Sequence, residues 1–231
     1  MTLRVRLGAT TAFAGDCCEI IDEMNQCELV ILDPPFDQWE NAPVFESRTK
    51  ICFTNFQNRA AVESRYGRPR FEVIWHFADG RWTSHKLPRT THETILIYGP
   101  TAESYVGAVN ADRRAQKKGR GSIGRAKLDE RTYVPRQRKA LNSVLMYPRN
   151  VSGHMGCWGK PLGLMVDLLR WAGARTVADP YAGAFTVSRA AAEIGGMEVI
   201  ASEQDDSTFT KGVALLKAHL EKGDKTDLFG E

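Results

Sequence analysis

An aspartate followed by two prolines and an aromatic residue, Asp33-Pro34-Pro35-Phe36, closes the short apolar run Leu29-Val30-Ile31-Leu32. Open α/β sheets place their chemistry at the carboxyl end of such a run. The two prolines fix φ over the next turn and contribute no donors of their own. What results is a carboxylate, a Pro34 carbonyl that no proline nitrogen can claim, and a ring, all held at one sheet edge. That set suits a planar substrate bearing an amine, with two acceptors for its N–H groups and a ring for its face. Asp-Pro is also a common way to start a surface turn, so the tetrapeptide alone leaves both readings open.

A second region adds to it. His154-Met155-Gly156-Cys157-Trp158-Gly159-Lys160-Pro161 leads into an apolar stretch from Leu162 to Trp171, and then comes Thr176-Val177-Ala178-Asp179-Pro180-Tyr181-Ala182-Gly183-Ala184-Phe185-Thr186. The small residues from Asp179 to Thr186 form a strand–turn–helix of the kind that lets backbone approach a ligand closely.

Together with Gly15-Asp16, Glu72-Val73-Ile74-Trp75 and Glu93-Thr94-Ile95-Leu96-Ile97-Tyr98, these segments resemble the permuted, or beta, class of DNA amino-methyltransferases. In that class an Asp-Pro-Pro-Tyr motif precedes an Asp-Pro-Phe-x-Gly-x-Gly-Thr cofactor loop, and Asp33 here precedes Asp179 by 146 positions. RNA and protein-glutamine methyltransferases with a similar aromatic turn normally place the cofactor loop first. The resemblance implies a Rossmann-like, S-adenosylmethionine-dependent α/β fold, with a mostly parallel sheet and helices on both faces. It implies that Asp33, Pro34, Pro35 and Phe36 act on an exocyclic amine, adenine N6 first and cytosine N4 as the alternative. An RNA methyltransferase and a degenerate DNA-binding homologue are further alternatives.

For S-adenosylmethionine the resemblance points to Asp179, Tyr181, Ala182, Gly183, Ala184 and Thr186 at the methionine end, and to Asp16 and Cys17 near the adenine. Glu203, with Gln204 beside it, stands about 20 residues after the glycine turn, where an acid bonds ribose hydroxyls. Lys160 and Pro161 open a helix whose side chain or free N–H groups could hold the cofactor carboxylate. Two departures stand out. Phe36 replaces the usual Tyr, keeping a stacking face and losing a hydroxyl. Phe185 stands where a second glycine is usual, so its ring either crowds the cofactor or points away into the sheet.

The net charge of +3 conceals an asymmetry. Between Arg113 and Lys139 eleven Lys/Arg face only Asp129 and Glu130, a local charge of +9 that leaves the remainder at −6. A basic block on an acidic body is the footprint of a nucleic-acid binder, or else a solvated loop. Arg113, Arg114, Lys117, Lys118, Arg120, Arg125 and Lys127 are its candidate DNA contacts, within an insertion at about 105–145. Charged content of 26% and hydrophobic content of 42% are ordinary, and point to one methyltransferase domain over 1–231. No apolar run approaches membrane length, and the N-terminus lacks the apolar core of a secretion signal. Five cysteines with neither a Cys-x-x-Cys pair nor framework spacing fit a reducing, cytoplasmic setting, and the five histidines are scattered, with no metal site expected. A bacterial or phage setting with a restriction-modification role follows from the resemblance, and a homodimer stays open.

The elements that must position these residues read as alternating strands and helices. Strands are expected at Leu3–Leu7, Leu29–Leu32, Phe71–Phe77, Thr94–Tyr98, Ser143–Tyr147, Arg175–Ala178 and Glu198–Ser202. Helices are expected from an Asp16 cap to about Met24, from Leu162 to near Gly173, from Thr186 to Ile194, and from a Ser207 cap to Leu220. Residues 37–70 read as irregular.

Overall fold

The computed structural model describes residues 3–35, 37–81, 88–99, 141–149 and 159–226, with 78–81 and 223–226 as backbone only. Phe36, the basic block and the His154–Trp158 segment therefore lie outside the described residues. The described strands form one nine-stranded sheet. In chain order they are β1 (Leu3–Leu7), β2 (Thr10–Ala14), β3 (Leu29–Leu32), β4 (Thr49–Thr54), β5 (Phe71–Arg81), β6 (Thr90–Tyr98), β7 (Val144–Met146), β8 (Thr176–Asp179) and β9 (Glu198–Glu203). Their spatial order is β1-β2-β9-β8-β3-β4-β6-β5-β7. Five of the eight pairings are parallel; β1 with β2, and β6 with both β4 and β5, run antiparallel. The helices are a 3₁₀ turn at Cys17–Ile20, then α1 (Ile21–Asn25), α2 (Arg59–Tyr66), α3 (Leu162–Ala172), α4 (Thr186–Ile194) and α5 (Asp206–Thr226).

Period-two alternation divides the core in two. From β3 to β9, odd-numbered strand residues such as Leu29, Ile31, Ile51, Phe53, Val73, Trp75, Ile95, Ile97, Val177 and Val199 pack with α3, α4 and α5. Even-numbered residues such as Val30, Leu32, Cys52, Leu96, Tyr98 and Ala178 pack with α1, α2 and the aromatic residues Trp39 and Phe45. Helices therefore cover both faces, the layered arrangement expected of a mostly parallel sheet. No described helix is long and apolar enough to cross a membrane.

Two expectations are corrected. Residues 37–70 are not irregular, because they contain β4 and α2. β4 reads poorly in sequence since Lys50 interrupts it. Its ammonium escapes burial by reaching the Ser47 carbonyl at 2.7 Å and lying over the Tyr66 ring. α2 buries only Val62 and so shows no apolar stripe. The last helix is capped not by Ser207 but by Asp205, whose Oδ1 accepts the Thr208 N–H at 2.7 Å, and it runs on to Thr226. Strand β2, absent from the sequence reading, returns from β1 after Gly8 (φ 56°) and lies against β9.

Candidate active site

The carboxyl ends of β2, β9, β8, β3 and β4 share one edge, and chain direction brings the start of β6 to it as well. The strand order departs in opposite senses from β8 and β3, which is where open α/β sheets leave a crevice. Asp179 ends β8, Asp33 follows β3, and Glu203 ends β9.

At the β8 end the turn is tied down by its neighbours. Ala182 N–H donates to the Ser202 carbonyl (2.9 Å), and Gly183 N–H donates to Glu203 Oε2 (2.9 Å). Glu203 Oε1 also accepts from Asp205 N–H at 3.0 Å. The acid proposed for ribose thus also splints the glycine turn. Gly15 N–H donates to the Glu203 carbonyl and Ser202 Oγ donates to the Gly15 carbonyl, so Asp16 is delivered beside the same strand end. Asp16 caps the 3₁₀ turn through the Cys18 N–H at 2.8 Å, and that bond holds its carboxyl below the ordinary value. Asp16, Cys17 and Cys18 are the one group of potential metal ligands among the described residues. Burial pushes the Cys17 thiol up to about 12, away from the thiolate form. Tyr181 packs into the Trp39 side of the core, and Gln204 is exposed past the strand.

Phe185 turns away from this edge. It adopts a left-handed conformation (φ 54°, ψ 38°), a glycine's geometry, and its ring is fully buried against Phe209 with centroids 5.9 Å apart. Left-handed backbone costs a non-glycine residue roughly 1–2 kcal/mol. Burial of a Phe ring returns about 1.5–3 kcal/mol. The backbone path of a glycine turn is thus kept, and Gly212 in α5 leaves the room. A Cβ at 212 would lie 2.4 Å from both Phe185 Cδ2 and the Gly183 carbonyl.

At the β3 end, Pro34 is buried and Pro35 exposed. The Pro35 carbonyl accepts Gln38 N–H at 2.8 Å, while none of the described residues donates to that of Pro34. Arg65 on α2 fastens the following loop by donating to the carbonyls of Trp39 (2.9 Å), Glu40 and Ala42. Asp33 keeps about a third of its side chain open to solvent (32%). Its Oδ1 lies 3.0 Å from the Lys160 ammonium, which in turn lies 3.0 Å from Glu93 Oε2. The ammonium also sits over the rings of Phe53 (4.9 Å) and Trp75 (5.6 Å). Burial opposes the Lys160 charge, yet the two carboxylates overcome that and hold it above its ordinary value. Lys160 therefore lies at the Asp33-Pro34-Pro35 turn, engaged with carboxylates. The preceding Gly159 faces the Asp179–Thr186 turn, with a Cβ there only 2.9 Å from Ala184 Cβ and Thr186 Oγ1. Pro161 caps α3, which packs Gly163 against Tyr147.

Burial raises Asp33 to about 6, with Lys160 pulling down and Glu93 pushing up. Asp179, almost wholly buried, is raised to about 8 by burial and then by the charges of Asp33 and Glu203. An edge lined by three carboxyl groups favours a cationic ligand. Sequence reasoning named Glu93 only as part of a strand. Its phase with Ile95 and Ile97, which puts a charge on the buried face, was the signal available.

No family model and no curated protein matches the sequence. Solved structures do match in shape. M1.HpyAVI in complex with SAM superposes with a TM-score of 0.58 at 15% identity, over 90% of this chain and 99% of that one. PvuII DNA methyltransferase, described as cytosine-N4-specific, gives 0.58 at 11% identity, over 92% and 93%. This chain has the fold of the DNA methyltransferases. TTHA0409 of Thermus thermophilus, complexed with S-adenosyl-L-methionine, agrees at 0.53 and 16% identity over 90% and 94%. The expected mostly parallel α/β methyltransferase sheet with helices on both faces is thus the observed one.

Proposed function

We propose that this protein is a DNA methyltransferase that uses S-adenosylmethionine to methylate the exocyclic amine of a flipped base, adenine N6 in the first instance. One observation carries the reading: the Asp33-Pro34-Pro35 turn and the Asp179–Thr186 turn follow neighbouring parallel strands at one sheet edge, in the fold shared with methyltransferases solved with that cofactor.

The residues fit the cofactor's chemistry. Bound there, it would supply an electrophilic methyl on a sulfonium, and its two cationic groups suit an edge lined by Asp179, Glu203 and Asp33. The Gly183 turn and the small side chains of Ala182 and Ala184 would let its methionine part lie close. Asp16 and Glu203 would hold the nucleoside part.

An aromatic exocyclic amine is a poor nucleophile because its lone pair is delocalised into the ring. Asp33 and the Pro34 carbonyl would accept its two N–H groups and draw the lone pair out of conjugation. A raised Asp33 is ionised above about pH 6 and can take up the proton that leaves after transfer. Extrusion of the base costs a few kcal/mol. Stacking on Phe36, worth roughly 1–3 kcal/mol, offsets part of that. Phe56, 84% exposed beyond β4 at the same edge, offers the DNA a second ring. The turn bearing it is fixed by Asn55 Oδ1, which accepts from Gln57 N–H (3.0 Å) and Asn58 N–H (2.9 Å). The basic block would supply phosphate contacts. The reading of a degenerate, turnover-free copy rested on Phe185, and that ring lies in the core.

The test is incubation with methyl-labelled S-adenosylmethionine and unmethylated duplex DNA, followed by mass spectrometry of the nucleosides. Label in N6-methyladenine is expected. Label in N4-methylcytosine would replace adenine by cytosine. Label in RNA alone, or tight cofactor binding with no transfer, would overturn the proposal.

A further inference from the structure

Lys160 and Asp33 alone would form a neutral pair. Glu93 changes that: its Oε2 is 3.0 Å from the same ammonium that meets Asp33 Oδ1 at 3.0 Å. The trio carries a net charge of −1 when all three groups are ionised. It is assembled from three places in the chain: Asp33 after β3, Glu93 at the start of β6, and Lys160 before α3. The alternation puts Asp33, Phe53, Glu93 and Trp75 on one face of β3, β4, β6 and β5. Two aromatic rings line the space around the ammonium, so its charge is met by carboxylates and π faces in a poorly hydrated place. Among the described residues, Asp179 on β8 is a further ionisable neighbour of Asp33.

Methyl transfer forms an N–C bond and breaks an S–C bond. Positive charge thereby passes from sulfur, left as a neutral thioether, to the amine nitrogen, which then gives up a proton to Asp33 and on to water. The charge arrives beside Asp33. An unbalanced lysine there would oppose it; a trio of net charge −1 favours it.

We propose that Glu93 is a positioning residue for this transfer: through Lys160 it fixes the Asp33 carboxylate, and it cancels the ammonium charge that would otherwise oppose a cationic amine. The inference rests on the methyltransferase reading of Asp33.

Glu93→Gln keeps the shape and the hydrogen bond to Lys160 and removes only charge. It should lower kcat about tenfold with cofactor affinity unchanged. Because Glu93 pushes Asp33 up, its neutralisation should also move the acid limb of the pH–rate profile down, by about one pH unit. Lys160→Met, which removes a charge that pulls Asp33 down, should move that limb up by about one to three pH units. Carboxyl-carbon NMR of Asp33 should report the same opposite movements, independently of turnover. Glu93→Asp should restore the acid limb. Unchanged kcat in Glu93→Gln beside an active wild type, or a loss of kcat with no movement of the limb, would overturn the role of Glu93. A wild type that transfers no methyl group would overturn the enzymatic reading itself.

Discussion

Gly212 sits inside α5, where the helix passes the Asp179–Thr186 turn one turn beyond the Phe209 ring that packs on Phe185. In an open helix interior, Gly→Ala stabilises by about 1 kcal/mol. At Gly212 the added methyl would fall 2.4 Å from the Gly183 carbonyl and 2.4 Å from Phe185 Cδ2, the first of which is backbone. Relief requires either α5 or the turn to move by most of an ångström. Overpacking of that kind costs about 1–3 kcal/mol. The balance is a net loss of about 1 kcal/mol, which in a chain this long lowers Tm by roughly 2–4 °C. Where the turn gives way, Gly183 (φ 48°) carries with it the N–H that Glu203 accepts. Its displacement should weaken S-adenosylmethionine binding about tenfold, or roughly 1.4 kcal/mol. Thermal melting with and without cofactor, and calorimetric titration, read both quantities. A Gly212→Ala variant that melts higher than wild type and binds cofactor equally well would refute the packing argument. A lower Tm with unaltered affinity would show that Phe185 yields and the turn does not.

Asp33→Ala should abolish labelled methyl transfer while cofactor titration stays nearly unchanged; more than a few per cent residual activity would remove Asp33 from the mechanism. Asp179 retains its proton in the folded state to about pH 8 but loses it near 3.8 when unfolded, so the cofactor-free protein should lose stability as pH rises across that window. Asp179→Asn should flatten the Tm–pH curve between about pH 5 and pH 8, and an unaltered slope would count against a buried, proton-retaining carboxyl. Phe56→Ala should weaken binding of duplex DNA with no loss of Tm, because the ring is 84% exposed; equal affinity for both proteins would remove it from the DNA face. Changing Arg113, Arg114, Lys117, Lys118 and Arg120 to Gln should flatten log K against log salt by roughly three to five. An unchanged slope would make the block a solvated loop.

Alternation and small-residue turns made much of this fold legible in sequence. Leu29–Leu32 and Thr186–Ile194 are strongly apolar or sharply bounded, and the structure has them as read, while the strand expected at Arg175–Ala178 lies one residue on, at Thr176–Asp179. The Asp16 cap and the left-handed Gly173 that ends α3 (φ 62°) follow from local chemistry and were equally visible. What escaped were features decided by distant partners. β4 is defined by its neighbours β3 and β6 rather than by its own pattern. The room for the Phe185 ring depends on a glycine 27 positions later, and the Lys160 contact with Glu93 spans 67 positions. Local sequence carries no term for either.

The antiparallel insertion of β6 between β4 and β5 sets a limit on how this chain can vary. Glu93 lies near the beginning of its strand, with Ile95 and Ile97 in phase behind it. Adding or deleting one residue between Glu93 and Tyr98 would carry an exposed neighbour such as His92 onto the interior face and turn the carboxylate outward. Length changes in relatives should therefore gather in the connections, and those inside β6 should come in pairs or be missing altogether.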